Sequence, residues 1–306
     1  MPEWVLERGI GETRAALVEN GEIVEAQVRR DGVVPAGTIV DAKLVAVAPR
    51  VIVEAAGQEF LLPRGVSDVS EGRSIRIAVT REPVGGAERW KRGLARLATD
   101  LEPSGEPAFE GTPGIIEAWD DLLEEARSGI VRFDGGELRI EPTAAMTMID
   151  VDGWLVPDKL AKMGAWAAAR AIRRLDIQGP IGIDFPTLKD REQRKAVDQV
   201  ITDFLPQPFE KTAMNGFGFV QIVRPRRRTS LIELAQDRAG FEARALLRRV
   251  GFDGPGARRI VAHPAVVAAL QAQADWIEAL ARRLGGNVSL RAAPNLPMSG
   301  GYAEPA

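Results

Sequence analysis

The chain of 306 residues contains no cysteine and a single histidine, His263. Without cysteine there are no disulfides, no thiolate nucleophile and no Cys-ligated zinc. One histidine excludes a multi-His metal site, and its place before Pro264 reads as a helix entry with no catalytic part. Long apolar runs are missing as well. None approaches the roughly 20 residues needed to span a bilayer, and the first thirty residues are studded with Glu and Arg, unlike a signal peptide. The expectation is a soluble, cytoplasmic protein with no membrane partner. A strong net charge is also lacking: at −3 the chain is no histone-like polyanion binder, although local basic patches can still hold nucleic acid. Catalysis is left to carboxylates, hydroxyls, Lys, Arg, or a metal held by oxygen, and oxygen ligands suit Mg²⁺ or Mn²⁺.

What is present is an ordinary globular composition, 45% hydrophobic and 27% charged, with length enough for two or three units or one domain carrying an insertion. Thr13–Val18 and Ile23–Val28 alternate around Asn20-Gly21, which predicts a hairpin. Between residues 38 and 83, short β-rich runs (Ile39–Ala46, Val51–Ala55, Glu59–Leu62, Ser74–Val79) separated by Gly and Pro predict a small antiparallel barrel. Arg89–Thr99 reads as a short helix, and Glu102–Pro107 as a loop. From about residue 114 the texture becomes α/β. Helices are expected at Ile115–Ala126, Leu160–Leu175 and Leu188–Phe204, the last with Thr187 and Asp190 placed as a capping box. Strands are expected at Ala144–Asp150, Gly182–Phe185 and Phe217–Val223, after a hairpin around Asp134–Gly136. This alternation predicts an α/β layer with parallel neighbours. One helix over Leu231–Val250, another over Ala265–Leu284, a strand at Val288–Arg291 and a frayed end complete the chain.

Asp150 closes one of these strands and Asp184 lies near the end of the next, one βαβ unit later. If the strands are parallel neighbours, both carboxylates point from the carboxyl ends of the sheet, where open α/β sheets build their sites. Two adjacent carboxylates repel unless a proton or a cation lies between them. A hard divalent ion resolves this and can polarise phosphate and activate water; the alternative is that each Asp merely ends a strand or caps a helix. Asp152, two residues on, would share the face of Asp150, although Asp-Gly is also simply a turn. Lys159 and Lys162 read as a solvated helix face. In Lys211–Leu231, a Gly-punctuated turn feeds an apolar strand that runs into Arg224, Arg226, Arg227 and Arg228. Arginine forks suit phosphate backbones, and a solvated charge run is the alternative.

Three stretches, EPTAAMTMIDVDGW, AARAIRRLDIQGPIGIDF and NGFGFVQIVRPRRRTSL, resemble in order and spacing the ribonuclease E/G family of endoribonucleases. Residues 30–83 look like that family's inserted S1-type RNA-binding barrel. The resemblance implies an α/β fold in parts: a split ribonuclease-H-like unit (1–35 and 84–128), the S1-type β-barrel (36–83), a DNase-I-like catalytic layer (129–235) and a small C-terminal α/β domain (236–306). It implies hydrolysis of single-stranded RNA to leave 5′-phosphate ends, in RNA processing or decay, with Mg²⁺ (or Mn²⁺) held by Asp150 and Asp184 and no zinc. Asp152 joins them as a catalytic candidate. Phe60, Lys43, Arg50 and Arg64 on the barrel, with Arg224, Arg226 and Arg227, are the expected RNA contacts. Asp152 stands where the family has asparagine. The cysteines of the family's zinc link are absent, so a monomer or homodimer is expected in place of a zinc-linked tetramer. Residues 84–128 are short for a sensor of the RNA 5′ end. The rival readings are an inactive RNA-binding protein of the same fold and an α/β phosphoesterase acting on small phosphates.

Overall fold

The computed structural model describes residues 3–67, 69–84, 91–99, 101–109 and 111–306. The chain opens with strands β1 (Glu3–Arg8), β2 (Glu12–Glu19) and β3 (Glu22–Arg30). Asn20 and Gly21 both take positive φ (52° and 83°), the backbone that a tight hairpin needs, so the predicted turn is present. Ala16, Ile23, Ala26 and Val28 point inward and join the main core.

The barrel follows: β4 (Ile39–Ala46), β5 (Ile52–Ala55), β6 (Gln58–Leu61), β7 (Ser74–Arg81) and β8 (Gly93–Leu97) close in the order β4-β5-β6-β8-β7. The first four match the expected runs. The described part of Arg89–Thr99, by contrast, holds a strand where a helix was expected, and the barrel therefore ends at Leu97 and not near residue 83. A segment of five residues is too short for its apolar spacing to separate a period of 2 from one of 3.6. Pairing decided it: β8 lies parallel to β6 and antiparallel to β7.

After β9 (Thr112–Pro113), which pairs in parallel with β1, helix α1 (Trp119–Ser128) leads into β10 (Ile130–Phe133), β11 (Gly136–Pro142) and β12 (Thr147–Gly153). Helix α2 (Pro157–Arg174), β13 (Gly179–Asp184), α3 (Arg191–Phe204), β14 (Glu210–Lys211) and β15 (Phe219–Arg224) finish the layer. The six strands stand in the order β10-β11-β12-β13-β15-β14. Only β12 and β13 are parallel neighbours; β15 runs antiparallel to β13. The expected parallel third strand fails because the chain after α3 first climbs along β14 and then reverses at Asn215–Gly218. Helix α3 begins at Arg191, where Asp190 accepts the N–H of Glu192 (2.9 Å). Thr187 instead donates its hydroxyl to the Phe217 carbonyl, so the expected capping box is not formed there. One exists at Ser230 and Glu233.

The C-terminal part holds α4 (Leu231–Leu234), α5 (Arg238–Val250), β16 (Arg258–Ala262), α6 (Pro264–Gln271), α7 (Ala274–Leu284), β17 (Val288–Ala292) and β18 (Tyr302–Pro305). Both long helices expected here are broken, at residues 235–237 and 272–273. The second break lets Val266 and Leu270 of α6 meet Trp276, Leu280 and Leu284 of α7 in one small core. The end expected to fray is β18, paired antiparallel with β16. His263 caps α6, its Nδ1 accepting the Ala265 N–H. A buried ion pair between Glu7 and Arg248 (2.6 Å) ties this part to the first strand.

Candidate functional site

Strand β12 alternates strictly. Ile149 and Val151 are buried, so Asp150 and Asp152 face outward. Helix α2 fixes this choice from behind: a Cβ at Gly164 would collide with the Val151 side chain, so only glycine lets helix and strand approach this closely. In β13, buried Ile183 turns Asp184 outward in the same way. The parallel register then pairs Asp150 directly with Asp184, on backbones about 4.8 Å apart. The structure thus brings the two aspartates together at the carboxyl end of the one parallel strand pair in the six-stranded sheet.

The electrostatics are those of too many anions for the local cations. Burial of the site, then Asp184, then Asp152, push the Asp150 carboxyl above its ordinary pKa, and Arg139 opposes them. Arg139 lies opposite Asp150 across β11 and β12 but is already bonded to Glu137 (2.7 Å). Asp152 accepts the N–H of Gly153 (2.8 Å), which is the turn role considered for it, while its charge still reaches Asp150. Among the described residues no group of three or more acidic or His side chains forms a complete metal cage. A pair of carboxylates facing an open surface nevertheless fits Mg²⁺, which keeps several waters and commonly takes only one or two carboxylates beside a substrate phosphate. Next to the pair, Phe219, Met146 and Met148 crowd over Gly182, where a Cβ would come within 2.6, 2.9 and 3.0 Å of them.

The arginine run does not join this site. Arg224 pairs in register with Gly179 at the start of β13, whereas Asp184 pairs with Phe219. Five residues of strand, roughly 17 Å, separate the two ends. Nor are these arginines free. Arg224 donates to the Ile177 carbonyl (2.9 Å), Arg226 pairs with Glu233, and Arg228 pairs with buried Asp176. Burial pulls the Arg224 pKa below the guanidinium range, with Asp176 and Glu25 resisting. The expectation that Arg224 and Arg226 bind phosphate is therefore corrected: they hold β15 to the loop before β13 and to α4. Arg227 alone of the four is exposed.

Phe60 is corrected as well. Its side chain is 0% exposed, in the barrel core with Leu44, Val53, Ile77 and Val79, and a Cβ at Gly93 would strike its ring. It cannot stack on a base. Lys43, Arg50 and Arg64 are exposed, on β4, in the β4–β5 loop and after β6. Sequence reasoning missed Phe217, an exposed ring in the turn before β15, although the Asn-Gly-Phe-Gly spacing that displays it is plain in the sequence.

A model of the ribonuclease E/G family matches residues 117–227, which include both aspartates and three of the four arginines, Arg224, Arg226 and Arg227. No curated protein matches the chain.

Proposed function

We propose, from the premise that the chain belongs to the ribonuclease E/G family through residues 117–227, that it is a metal-dependent endoribonuclease. Single-stranded RNA is its substrate and 5′-phosphate ends its product, in RNA processing or decay. One observation carries this reading: Asp150 and Asp184 are register partners on the only parallel strands of the layer, inside the matched segment. Asp150 and Asp184 would hold Mg²⁺, with Mn²⁺ as a substitute. Such an ion, when bound, supplies polarisation of a phosphoryl oxygen and activation of water.

The chain's own residues perform the remaining tasks. Asp150 and Asp184, turned outward by buried neighbours, present their carboxylates on one face of the sheet. Arg139, beside Asp150, offsets the repulsion that Asp152 imposes on an arriving phosphate. Lys189 and Arg191, exposed just after Asp184, offer cations to the RNA backbone. In the hydrolysis, water oxygen bonds to phosphorus, the 3′ oxygen leaves and takes a proton, and the phosphate stays on the 5′ side of the downstream fragment. An inactive RNA binder would have no need of both aspartates. A small phosphate would want an enclosed pocket, whereas these carboxylates stand on an open sheet face that suits a polymer.

The same reading makes β1–β3 with α1 a split ribonuclease-H-like unit, the five-stranded barrel an S1-type RNA binder, and the six-stranded layer DNase-I-like. With no cysteine, the assembly proposed is a monomer or homodimer without a zinc link, and the compartment proposed is the cytoplasm. No helix among the described residues is long and apolar enough to cross a membrane. The test is the chemistry of the new ends. Incubation of single-stranded RNA with the protein and Mg²⁺ should yield fragments that a 5′-phosphate-dependent ligase accepts; fragments with 5′-hydroxyl ends would overturn the reading.

A further inference from the structure

With Phe60 sealed in the barrel, the described part of the barrel presents no aromatic ring to solvent. Among the described residues five rings stand exposed elsewhere (Trp154, Phe204, Phe217, Phe252 and Tyr302), and the two most exposed lie close in sequence and register to the aspartates. Phe217 is 83% exposed and Trp154 is 79% exposed. Phe217 lies two residues before Phe219, the register partner of Asp184, in the turn that enters β15 and just beyond the carboxyl end of β13. Trp154 follows Asp150 by four residues, just past the carboxyl end of β12, so that both rings lie beyond the same end of the β12–β13 pair, with β13 between them in the sheet.

The turn that carries Phe217 is built firmly. Asn215 Oδ1 accepts the N–H groups of Phe217 (2.9 Å) and Phe219 (3.1 Å). The Asn215 carbonyl accepts from Gly218 (3.2 Å), the Gly218 carbonyl accepts from Phe185 (3.1 Å), and Thr187 donates to the Phe217 carbonyl (3.3 Å). Gly218 has φ +97°, and a Cβ there would collide with the Phe185 carbonyl. The backbone N–H and carbonyl groups of Phe217 and Gly218 are thus all committed while the ring itself is exposed. Trp154 is held similarly: its N–H donates to the Gly135 carbonyl (3.2 Å), and the next residue, Leu155, packs inward over Gly135. Single exposed apolar side chains are ordinary. Two rings on fixed backbones, both beyond the same end of a carboxylate pair, are a different arrangement.

We infer that Phe217 and Trp154 are the base-stacking platforms of the active site, each taking an unpaired base of the strand whose phosphate is held at Asp150 and Asp184. The inference rests on the endoribonuclease reading and deepens it. Every base has a π-face, so stacking of this kind is tolerant of sequence. It also selects single strands, because bases inside a duplex are already stacked and cannot reach the rings.

The experiment measures single-turnover cleavage of a short uridine oligomer against protein concentration, in Mg²⁺, for the full chain. Phe217→Ala and Trp154→Ala should each raise the half-saturating concentration by about 5- to 150-fold. Phe217→Tyr should restore it, while Phe217→Leu, apolar but without a π-face, should not. On the same ribose–phosphate backbone lacking bases, wild type and Phe217→Ala should behave alike. An unchanged concentration dependence in Phe217→Ala, or full rescue by leucine, would overturn the assignment. So would a dimer that Phe217→Ala dissociates in sedimentation while cleavage stays normal, since the ring would then serve self-association. If wild type cuts no single-stranded RNA, the endoribonuclease reading itself has failed and this assignment falls with it. If wild type cuts and the alanine variants match it, the rings alone are misassigned.

Discussion

Phe60 separates two accounts of the barrel, because a stacking residue and a core residue fail in different ways. The ring is fully buried among Leu44, Val53, Ile77, Val79 and Ala95, and replacing a core Phe by Ala costs about 3–5 kcal/mol. Domains are stable by only about 5–15 kcal/mol in total, so Phe60→Ala should remove much of the reserve of a barrel with so small a core. At a urea slope of about 1–3 kcal/mol per molar, the barrel transition should move down by more than about 1 M. A second substitution sharpens the test. Gly93→Ala alone should destabilise, because its methyl strikes the ring; in a Phe60→Ala background the same methyl enters the vacated space. The pair should therefore be strongly non-additive, with Gly93→Ala less harmful in the double variant. Urea denaturation of the four proteins gives the cycle, and RNA affinity measured below the transition gives the control. A Phe60→Ala protein with an unchanged midpoint and weakened RNA binding would refute the core assignment.

The arginine run should divide by role. Arg227→Ala should weaken RNA binding for all sequences and lower its log–log salt slope by about 1, whereas Arg226→Ala, which strands Glu233, should cost stability and leave the slope alone. Equal slopes for wild type and Arg227→Ala would make Arg227 a solvated charge. Glu82 offers a pH test: burial raises its carboxyl to about 7, against opposition from the Ala36 N–H, Arg228 and Arg29. Between its ordinary pKa of 4.5 and about 7, the unfolded chain has released this proton and the folded chain keeps it, so stability falls as pH rises through that window, by at most about 3 kcal/mol. Glu82→Gln should therefore gain on wild type between pH 5 and pH 8 in chemical denaturation; a constant difference would contradict the shift. RNAs with 5′-hydroxyl, monophosphate or triphosphate ends should be cut at similar rates. The cations reaching the 101–109 loop are committed, Arg29 to the Pro107 carbonyl, Arg76 to Ser104 and Arg96 to Glu102. A tenfold preference for one end, worth about 1.4 kcal/mol, would contradict this and reveal a pocket for the RNA 5′ end.

Features governed by local backbone chemistry were legible in the sequence. Asn20-Gly21 forces a turn by its φ values, and alternation in β4, β5 and β6 survives folding because each buries one face. Asp150 and Asp184 were legible for the same reason: apolar neighbours at odd positions turn them outward. What was hidden depended on partners distant in sequence. Strand β8 is a strand only because β6 and β7 accept it, and β15 runs backward only because β14 intervenes. Phe60 and the arginines share one cause of error. An aromatic among cations, or cations in a row, look like ligands for RNA until their neighbours appear, and here Gly93 makes room for the ring while Glu233 and Asp176 claim the guanidinium groups. Phe217 is the converse case, a ring in an apolar strand context that folding leaves outside.

The account turns on whether Asp150 and Asp184 act together through a divalent ion on RNA. The direct measurement compares wild type with Asp184→Asn on a labelled single-stranded RNA, in Mg²⁺ and in EDTA, with thermal unfolding of both proteins as the fold control. Asp184 is exposed, so the variant should fold normally and retain RNA binding. Wild type should cut in Mg²⁺ and stop in EDTA, and Asp184→Asn should fail to cut in either. Undiminished turnover by Asp184→Asn, or wild-type cleavage that survives EDTA, would contradict the central claim.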